Sequence, residues 1–221
     1  MDYPPRKFVD RRDAGRQLAD VLAKHAQSEP LILALPRGGV PVAFEIAKAL
    51  HAPLELVLVR KIGAPGHSEY GIGAVVDGND PQFVYNEEAM RIVNPSAAYI
   101  EAESRRQLAE IERRREIYQG NRPPTPTEGR TVIVVDDGVA TGGTVKVALK
   151  ALRKAGTGKI ILAVPVAAGE ALEQLEAEAD EVICLQTPDP FRAVGIHYID
   201  FDQTSDEEVV RLLEEAREGE A

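Results

Sequence analysis

The sequence predicts an α/β sandwich around a mostly parallel sheet, and three observations predict it. Hydrophobic residues make up 44% of the 221 residues, while aromatics make up 5% and Trp is absent, so the core must be aliphatic. Short apolar runs alternate along the chain with segments of helical period. Between residues 31 and 59 the order is strand, loop, helix, strand, the βαβ unit that builds parallel sheets.

Each element has a local reason. Asp10 caps a helix running to about His25, with Asp13 in its first turn and Ala14, Leu18, Val21 and Leu22 on one face. Leu31-Ile32-Leu33-Ala34-Leu35 reads as a buried strand, broken by Pro36-Arg37-Gly38-Gly39. Pro41 suits the first turn of the next helix, which puts Val42, Ile46, Ala49 and Leu50 on one side. Residues 54–59 form a second buried strand. The glycine-rich stretch 63–78 is long for a plain connection and reads as a lid-like loop, with 72–76 and 83–85 able to pair as a hairpin. Asn94 as cap and Pro95 in the first turn open a long helix to about Tyr118, supported by the pairs Glu101/Arg105 and Glu110/Arg114. Residues 121–127, with three prolines, are a linker. Strands at 131–135 and 159–164 flank a helix with Val145, Ala148, Leu149 and Leu152 on one face and Gly156 at its end. A helix at 170–178, a strand at 181–185 and a terminal helix opened by the Ser205/Glu208 capping box complete the pattern.

The length fits one domain, residues 1–221. No apolar run approaches the roughly 18 residues of a membrane span, and Met1-Asp2-Tyr3-Pro4-Pro5-Arg6-Lys7 lacks the apolar segment of a signal peptide. The single cysteine, Cys184, excludes an internal disulfide and reads as a buried, inert thiol. These features predict a cytoplasmic protein with no membrane partner. The net charge of −10, from 36 acidic and 26 basic residues, argues against a general nucleic-acid binder. It also means that a phosphate site must be made by local geometry, not by the overall field.

Such geometry is legible in Val132-Ile133-Val134-Val135-Asp136-Asp137-Gly138-Val139-Ala140-Thr141-Gly142-Gly143-Thr144. Four β-branched residues make a buried strand. Two carboxylates stand at its carboxyl end, where ligands of open α/β sheets bind. The loop glycines let amides point inward, Thr141 and Thr144 add hydroxyl donors, and the following helix adds partial positive charge, together a monophosphate cradle. The acids repel phosphate, so Asp136 and Asp137 need hydroxyl donors or a cation. Ribose hydroxyls, and a Mg2+ held directly or through water, meet that need. A phosphate at one end and a cis-diol nearby describe a ribose 5-phosphate. An acidic turn before an ordinary helix accounts for one Asp and one Gly, but not for paired acids, paired glycines and flanking threonines together.

The segment resembles the phosphoribosyl-pyrophosphate signature of type I phosphoribosyltransferases: a hydrophobic strand, two acids, then Thr-Gly-Gly-Thr. Leu35-Pro36-Arg37-Gly38-Gly39 stands where that family has its pyrophosphate loop. Arg60-Lys61 stands where several members carry a basic pair before a flexible active-site loop. The similarity runs over most of residues 31–164. It implies a three-layer sandwich with a small hood at about 185–205 and a flexible-loop and long-helix insertion at about 62–126. It implies Mg2+-dependent transfer of 5-phosphoribosyl from phosphoribosyl pyrophosphate to a small-molecule nitrogen acceptor, a nucleobase, with inversion and release of pyrophosphate. Asp136 and Asp137 would bind the ribose hydroxyls, and Ala140, Thr141, Gly142, Gly143 and Thr144 the 5-phosphate, with Gly138 and Val139 in the same substrate-binding set. Arg37 and Gly38 would meet the pyrophosphate, often beside a non-proline cis peptide, Lys61 would help neutralise it as it leaves, and Gly39 and Arg60 belong to the same substrate-binding set. Asp136, Asp137, Lys61 and Arg37 would be the catalytic residues. Ala140 stands where members acting on 6-oxopurines often have a third Asp, which lowers hypoxanthine or guanine as acceptor. The family commonly forms homodimers, and the long helix could serve that contact. Several members are regulators, so a non-catalytic sensor of phosphoribosyl pyrophosphate or a nucleotide is the alternative reading.

The remaining motifs are weaker. Phe191 and Tyr198 are candidates to stack on an acceptor ring, with packing as the competing role. His67, Glu69 and Tyr70 are the polar candidates of the glycine-rich stretch. Arg113-Arg114-Arg115 point in different directions on a helix and read as a solvated face balanced by glutamates. Gly156-Thr157-Gly158-Lys159 precedes its strand and is no Walker loop, and Gly71-Ile72-Gly73 lacks the βα context of a dinucleotide site. Four scattered histidines and one cysteine give no zinc spacing.

Overall fold

The chain runs from α1 (Arg11–Leu22) through β1 (Leu31–Ala34) and α2 (Gly39–Leu50) to β2 (Leu54–Leu56). It then leaves that sheet for β3 (Val59–Ala64), β4 (His67–Val76) and β5 (Gln82–Tyr85). It returns through α3 (Glu87–Val93) and α4 (Ala97–Gln119) to β6 (Thr131–Val135), α5 (Gly143–Lys154), β7 (Lys159–Val166), α6 (Gly169–Glu176), β8 (Glu181–Gln186) and α7 (Asp206–Glu218). This computed structural model describes residues 7–78, 80–120 and 122–219. Expectations that rest on residues 1–6, on Asn79 in the hairpin turn and on Asn121 in the linker lie outside the described residues, as does the side chain of Glu69.

The central sheet is parallel, in the order β2-β1-β6-β7-β8. Its strands are aliphatic without polar alternation because both faces are covered. Ile32, Ala34, Ile133, Val135, Ile161 and Ala163 point into a cluster shared with α1, α2 and α7. Leu31, Leu33, Val132, Val134, Ile160 and Leu162 point the other way, against α5 and α6. The result is the three-layer α/β sandwich that the sequence predicts. The smaller sheet, β3-β4-β5, is antiparallel. Among the described residues no helix is long and apolar enough to cross a membrane.

Four local expectations are corrected. The strand read at 54–59 divides between the two sheets. Val57 N–H still donates to the Ala34 carbonyl (2.9 Å), but Leu58 already accepts from Asp77 (2.9 Å), so the ladder partner changes within one apolar run. The stretch 63–78 is not a slack loop but the end of β3 and all of β4. Its glycines mark close packing: a Cβ on Gly63 would lie 2.6 Å from the Ser68 carbonyl oxygen, and one on Gly73 would lie 2.8 Å from the Tyr85 ring. The expected pairing of 72–76 with 83–85 is present. The long helix is capped by Ser96, which accepts from Tyr99 N–H (3.2 Å), while Asn94 closes α3 in the left-handed region. Both residues are good caps, and Pro95 sits between the two helices because it cannot continue the first. Finally, Val21 and Ala49 are exposed; α1 instead buries Ala14, Gly15, Leu18, Ala19 and Leu22.

Candidate active site

The acidic pair follows the last residue of β6. Asp137 N–H donates to Asp136 Oδ1 at 2.9 Å. Burial, then the neighbouring Asp137 charge, pushes the Asp136 carboxyl well above its ordinary range. Burial also raises Asp137, and a hydrogen bond from Arg11 opposes that rise. Arg11 Nε donates to Asp137 Oδ2 at 2.7 Å, with the two side chains 12% and 16% exposed.

Beyond the acids the loop is pinned once and then left open. Val139 N–H donates to the Val166 carbonyl, and the Val139 carbonyl accepts from Ala168 N–H, both at 2.9 Å. Its side chain is buried. Val139, expected in the substrate-binding set, therefore anchors the loop to the end of β7 through its backbone. Ala140, Thr141, Gly143 and Thr144 are exposed. Gly142, with φ 74°, is the N-cap of α5 and has no side chain to satisfy the first-turn amides. Those N–H groups and the positive end of a 12-residue helix face outward together.

The loop after β1 lies directly against the acids. The Pro36–Arg37 peptide is cis. A Cβ on Gly38 would fall inside contact distance of Asp137 Oδ2, and one on Gly39 would lie 2.7 Å from the Val135 carbonyl oxygen. Arg37 Nη1 is 3.6 Å from Asp206 Oδ1 at the start of α7, and Tyr118 from α4 donates its hydroxyl to the same oxygen at 2.5 Å. Asp136, Asp137, Gly38 and Gly39 thus meet at two adjoining strand ends. Arg60 and Lys61 belong to β3 in the other sheet, where Arg60 Nε donates to Gln107 of α4 (3.0 Å) and Lys61 is exposed.

The aromatic candidates separate. Tyr198 is 3% exposed, packs on Phe8 and Phe201, and donates its hydroxyl to the Asp137 carbonyl at 2.6 Å. Of the two roles open to it, stacking on an acceptor ring or packing, Tyr198 takes the packing one and holds the acidic turn. Phe191 is half-buried and stacks on His197 with centroids 5.8 Å apart. Of the arginine cluster, Arg113 and Arg114 share Glu110, as a solvated face would, but Arg115 pairs with Asp77 beside β4. Cys184 is half-buried; burial pushes its thiol up, away from the reactive thiolate.

Sequence reasoning missed Arg11, Tyr118 and Asp206. One signal was present for the first. Arg11 and Arg12 stand in the first turn of α1, against the helix dipole, so each needs a partner elsewhere. Those partners are Asp137 and Glu45.

Comparison with known proteins agrees with this geometry. The model of the phosphoribosyl transferase domain family matches residues 10–199. A Mycobacterium tuberculosis protein named "Putative phosphoribosyl transferase Rv0571c" is 46% identical over 209 residues, covering 95% of this chain and 47% of its own length. The chain thus spans about half the length of the curated relatives it matches. The crystal structure of TT1426 from Thermus thermophilus superposes with a TM-score of 0.82 at 44% identity, covering 95% of this chain and 98% of that one.

Proposed function

This chain belongs to the phosphoribosyl transferase domain family, and on that premise we propose that it transfers 5-phosphoribosyl from phosphoribosyl pyrophosphate to a nitrogen acceptor of the nucleobase class. The observation that carries the reading is the contact of Gly38 with Asp137. It sets a loop suited to pyrophosphate beside a turn suited to a ribose diol, with the open amides of 140–144 following.

Asp136 and Asp137 accept hydrogen bonds from the ribose hydroxyls. The amides at the start of α5, with the Thr141 and Thr144 hydroxyls, take the 5-phosphate. Arg37 and Lys61 balance the charge that builds on the leaving group. The acceptor nitrogen bonds to the anomeric carbon as the bond from that carbon to the pyrophosphate oxygen breaks, and the electron pair leaves with pyrophosphate. Ala140 offers no base for the acceptor proton, so solvent takes it. That favours an acceptor whose nitrogen lone pair is available unassisted over a 6-oxopurine. Most of the rate comes from positioning and charge stabilisation.

Mg2+, when bound, supplies further charge neutralisation to the pyrophosphate. Among the described residues no group of three or more His, Cys, Asp or Glu could hold a metal ion. Asp136 and Asp137 fit such an ion only with water and substrate oxygens completing the shell, a common mode for Mg2+.

The test is a pyrophosphate-release assay with phosphoribosyl pyrophosphate and Mg2+ across nucleobases and amines. Release that depends on one acceptor class is expected. Tight binding of phosphoribosyl pyrophosphate with no release from any acceptor would replace the enzyme reading by that of a sensor.

A further inference from the structure

We propose that Arg11 is a positioning residue of the ribose site, holding the Asp137 carboxylate in place for the ribose hydroxyls and tying it to the segment before α7. The inference rests on the phosphoribosyl reading of Asp136 and Asp137.

Three contacts fix the Arg11 guanidinium. Its Nε donates to Asp137 Oδ2 at 2.7 Å. Its Nη1 donates to the Asp202 carbonyl at 2.6 Å. Its Cζ lies 3.9 Å from the centroid of the Phe201 ring. A planar fork with one edge on a carboxylate, another on a carbonyl and its face on a ring has little freedom left.

The same ring connects to the other end of Asp137. Phe201 packs on Tyr198 with centroids 4.9 Å apart, and the Tyr198 hydroxyl donates to the Asp137 carbonyl at 2.6 Å. Asp137 is therefore held at its side chain by Arg11 and at its backbone by Tyr198. Both holders rest on Phe201. On its remaining side the carboxylate abuts Gly38.

This arrangement leaves Asp137 able to work. An ionised carboxylate can accept about four hydrogen bonds, and Arg11 takes one of them. The remaining capacity serves the ribose hydroxyls, while the aim of the carboxylate is already set. A salt bridge that only joined α1 to the rest of the fold would have no reason to end on this one carboxylate, beside the pyrophosphate loop. The device also explains why a cation is tolerated in the first turn of α1.

Two probes separate positioning from folding. Ribose 5-phosphate engages the diol and phosphate subsites, and inorganic pyrophosphate engages the Arg37 side. Binding of each, with Mg2+, is measured by calorimetry on the wild type and on Arg11→Met, Arg11→Lys and Phe201→Leu, alongside thermal melts. Arg11→Met is expected to weaken ribose 5-phosphate by about 10- to 100-fold, the range for loss of a charged hydrogen bond, with pyrophosphate binding unchanged. Arg11→Lys should recover part of the loss, since it restores charge but not the fork. Phe201→Leu should weaken ribose 5-phosphate by a few-fold, because the charge stays but its platform goes. Unchanged ribose 5-phosphate binding in Arg11→Met overturns the proposal. So does equal loss of both probes across all three variants in step with lost thermal stability. A wild type that binds neither probe overturns the phosphoribosyl reading itself, and this inference with it.

Discussion

The central parallel sheet and the smaller antiparallel sheet carry different halves of the proposed chemistry on very different foundations. Strands β1, β6 and β7 are buried on both faces between helical layers. The loops at their carboxyl ends inherit that rigidity, with Gly38 against Asp137 and Val139 bonded to the end of β7. The sheet holding Arg60 and Lys61 has a small cluster of its own, Ile62, Ala64, Ile72 and Ala89, joins the two main cores through Val75 and Val76, and is exposed at Lys61 and Tyr70. Polar ties add to that packing, such as Arg115 to Asp77 and Lys154 Nζ to the Phe83 carbonyl (2.8 Å). The difference teaches where each function can sit. In the proposed reaction, recognition of ribose phosphate falls to loops anchored on the buried parallel sheet. In the same proposal, part of the charge that meets the leaving group comes from Lys61 on the exposed side of the smaller sheet, where local opening is easier.

The sharpest way to break this contrast is to empty the rigid half of its chemistry. Asp136→Asn with Asp137→Asn should lower affinity for phosphoribosyl pyrophosphate by about 100-fold or more, as expected for two charged acceptors lost; unchanged calorimetric affinity would sink the site assignment. The single change Asp136→Asn should also stabilise the unliganded protein. The folded-state pKa of Asp136 lies above its unfolded value of 3.8, so ionising this carboxyl costs more in the fold than in the unfolded chain. As pH falls toward the raised pKa, the folded state takes up the proton first and gains stability. Below 3.8 both states are protonated and the gain is complete. Wild type minus variant reports the acidic pair, since Asp136 and Asp137 influence each other, while Glu110 and Glu181, held at about 2, contribute equally to both. The variant should melt higher at neutral pH, and the gap should close as pH falls.

A second test attacks the joint between the two strand ends. Gly38→Ala places a methyl group inside contact distance of Asp137 Oδ2, so backbone or carboxylate must shift. Stability should fall by about 1–3 kcal/mol, as for overpacking, and both ribose 5-phosphate and pyrophosphate should bind more weakly. Loss of only one would show that the two subsites are not mechanically joined there. The antiparallel half is tested by Lys61→Met. It should lower the rate of pyrophosphate release by about 10-fold, as for one charged contact, with ribose 5-phosphate affinity and melting temperature unchanged.

The same contrast governs what the sequence discloses. The strand, acids, loop and helix of 131–154 are legible because they are contiguous, and each residue type has one local job there. Arg11 is not, since its partner lies 126 residues away and its only local mark is a charge of the wrong sign for a helix start. The glycines of 63–78 mislead because glycine marks slack in a loop and close approach in a strand, and composition cannot separate the two. The run 54–59 is apolar throughout but for Glu55, so nothing in it says where one ladder ends and the next begins. Tyr198 has the right chemistry for stacking on a ligand, but burial and the bond to the Asp137 carbonyl are properties of the fold.

The smallest expected effect comes from two neighbours on α4, and it decides how the antiparallel sheet is held. Arg115 is 13% exposed and pairs with Asp77, itself 6% exposed, where β4 ends. Arg113 is 59% exposed and pairs with Glu110 one turn earlier on its own helix. Arg115→Ala leaves a buried carboxylate without its cation and should cost about 1–3 kcal/mol. Arg113→Ala should change stability by less than about 0.5 kcal/mol, since an exposed ion pair gains little and Glu110 keeps Arg114. Denaturant melts of the two variants settle the point. Equal, small losses would mean that the Asp77 contact does not fasten the sheet. A loss confined to Arg115, with greater hydrogen exchange in β3–β5 and none added in β6, would show the smaller sheet opening on its own while the ribose-phosphate half stays closed.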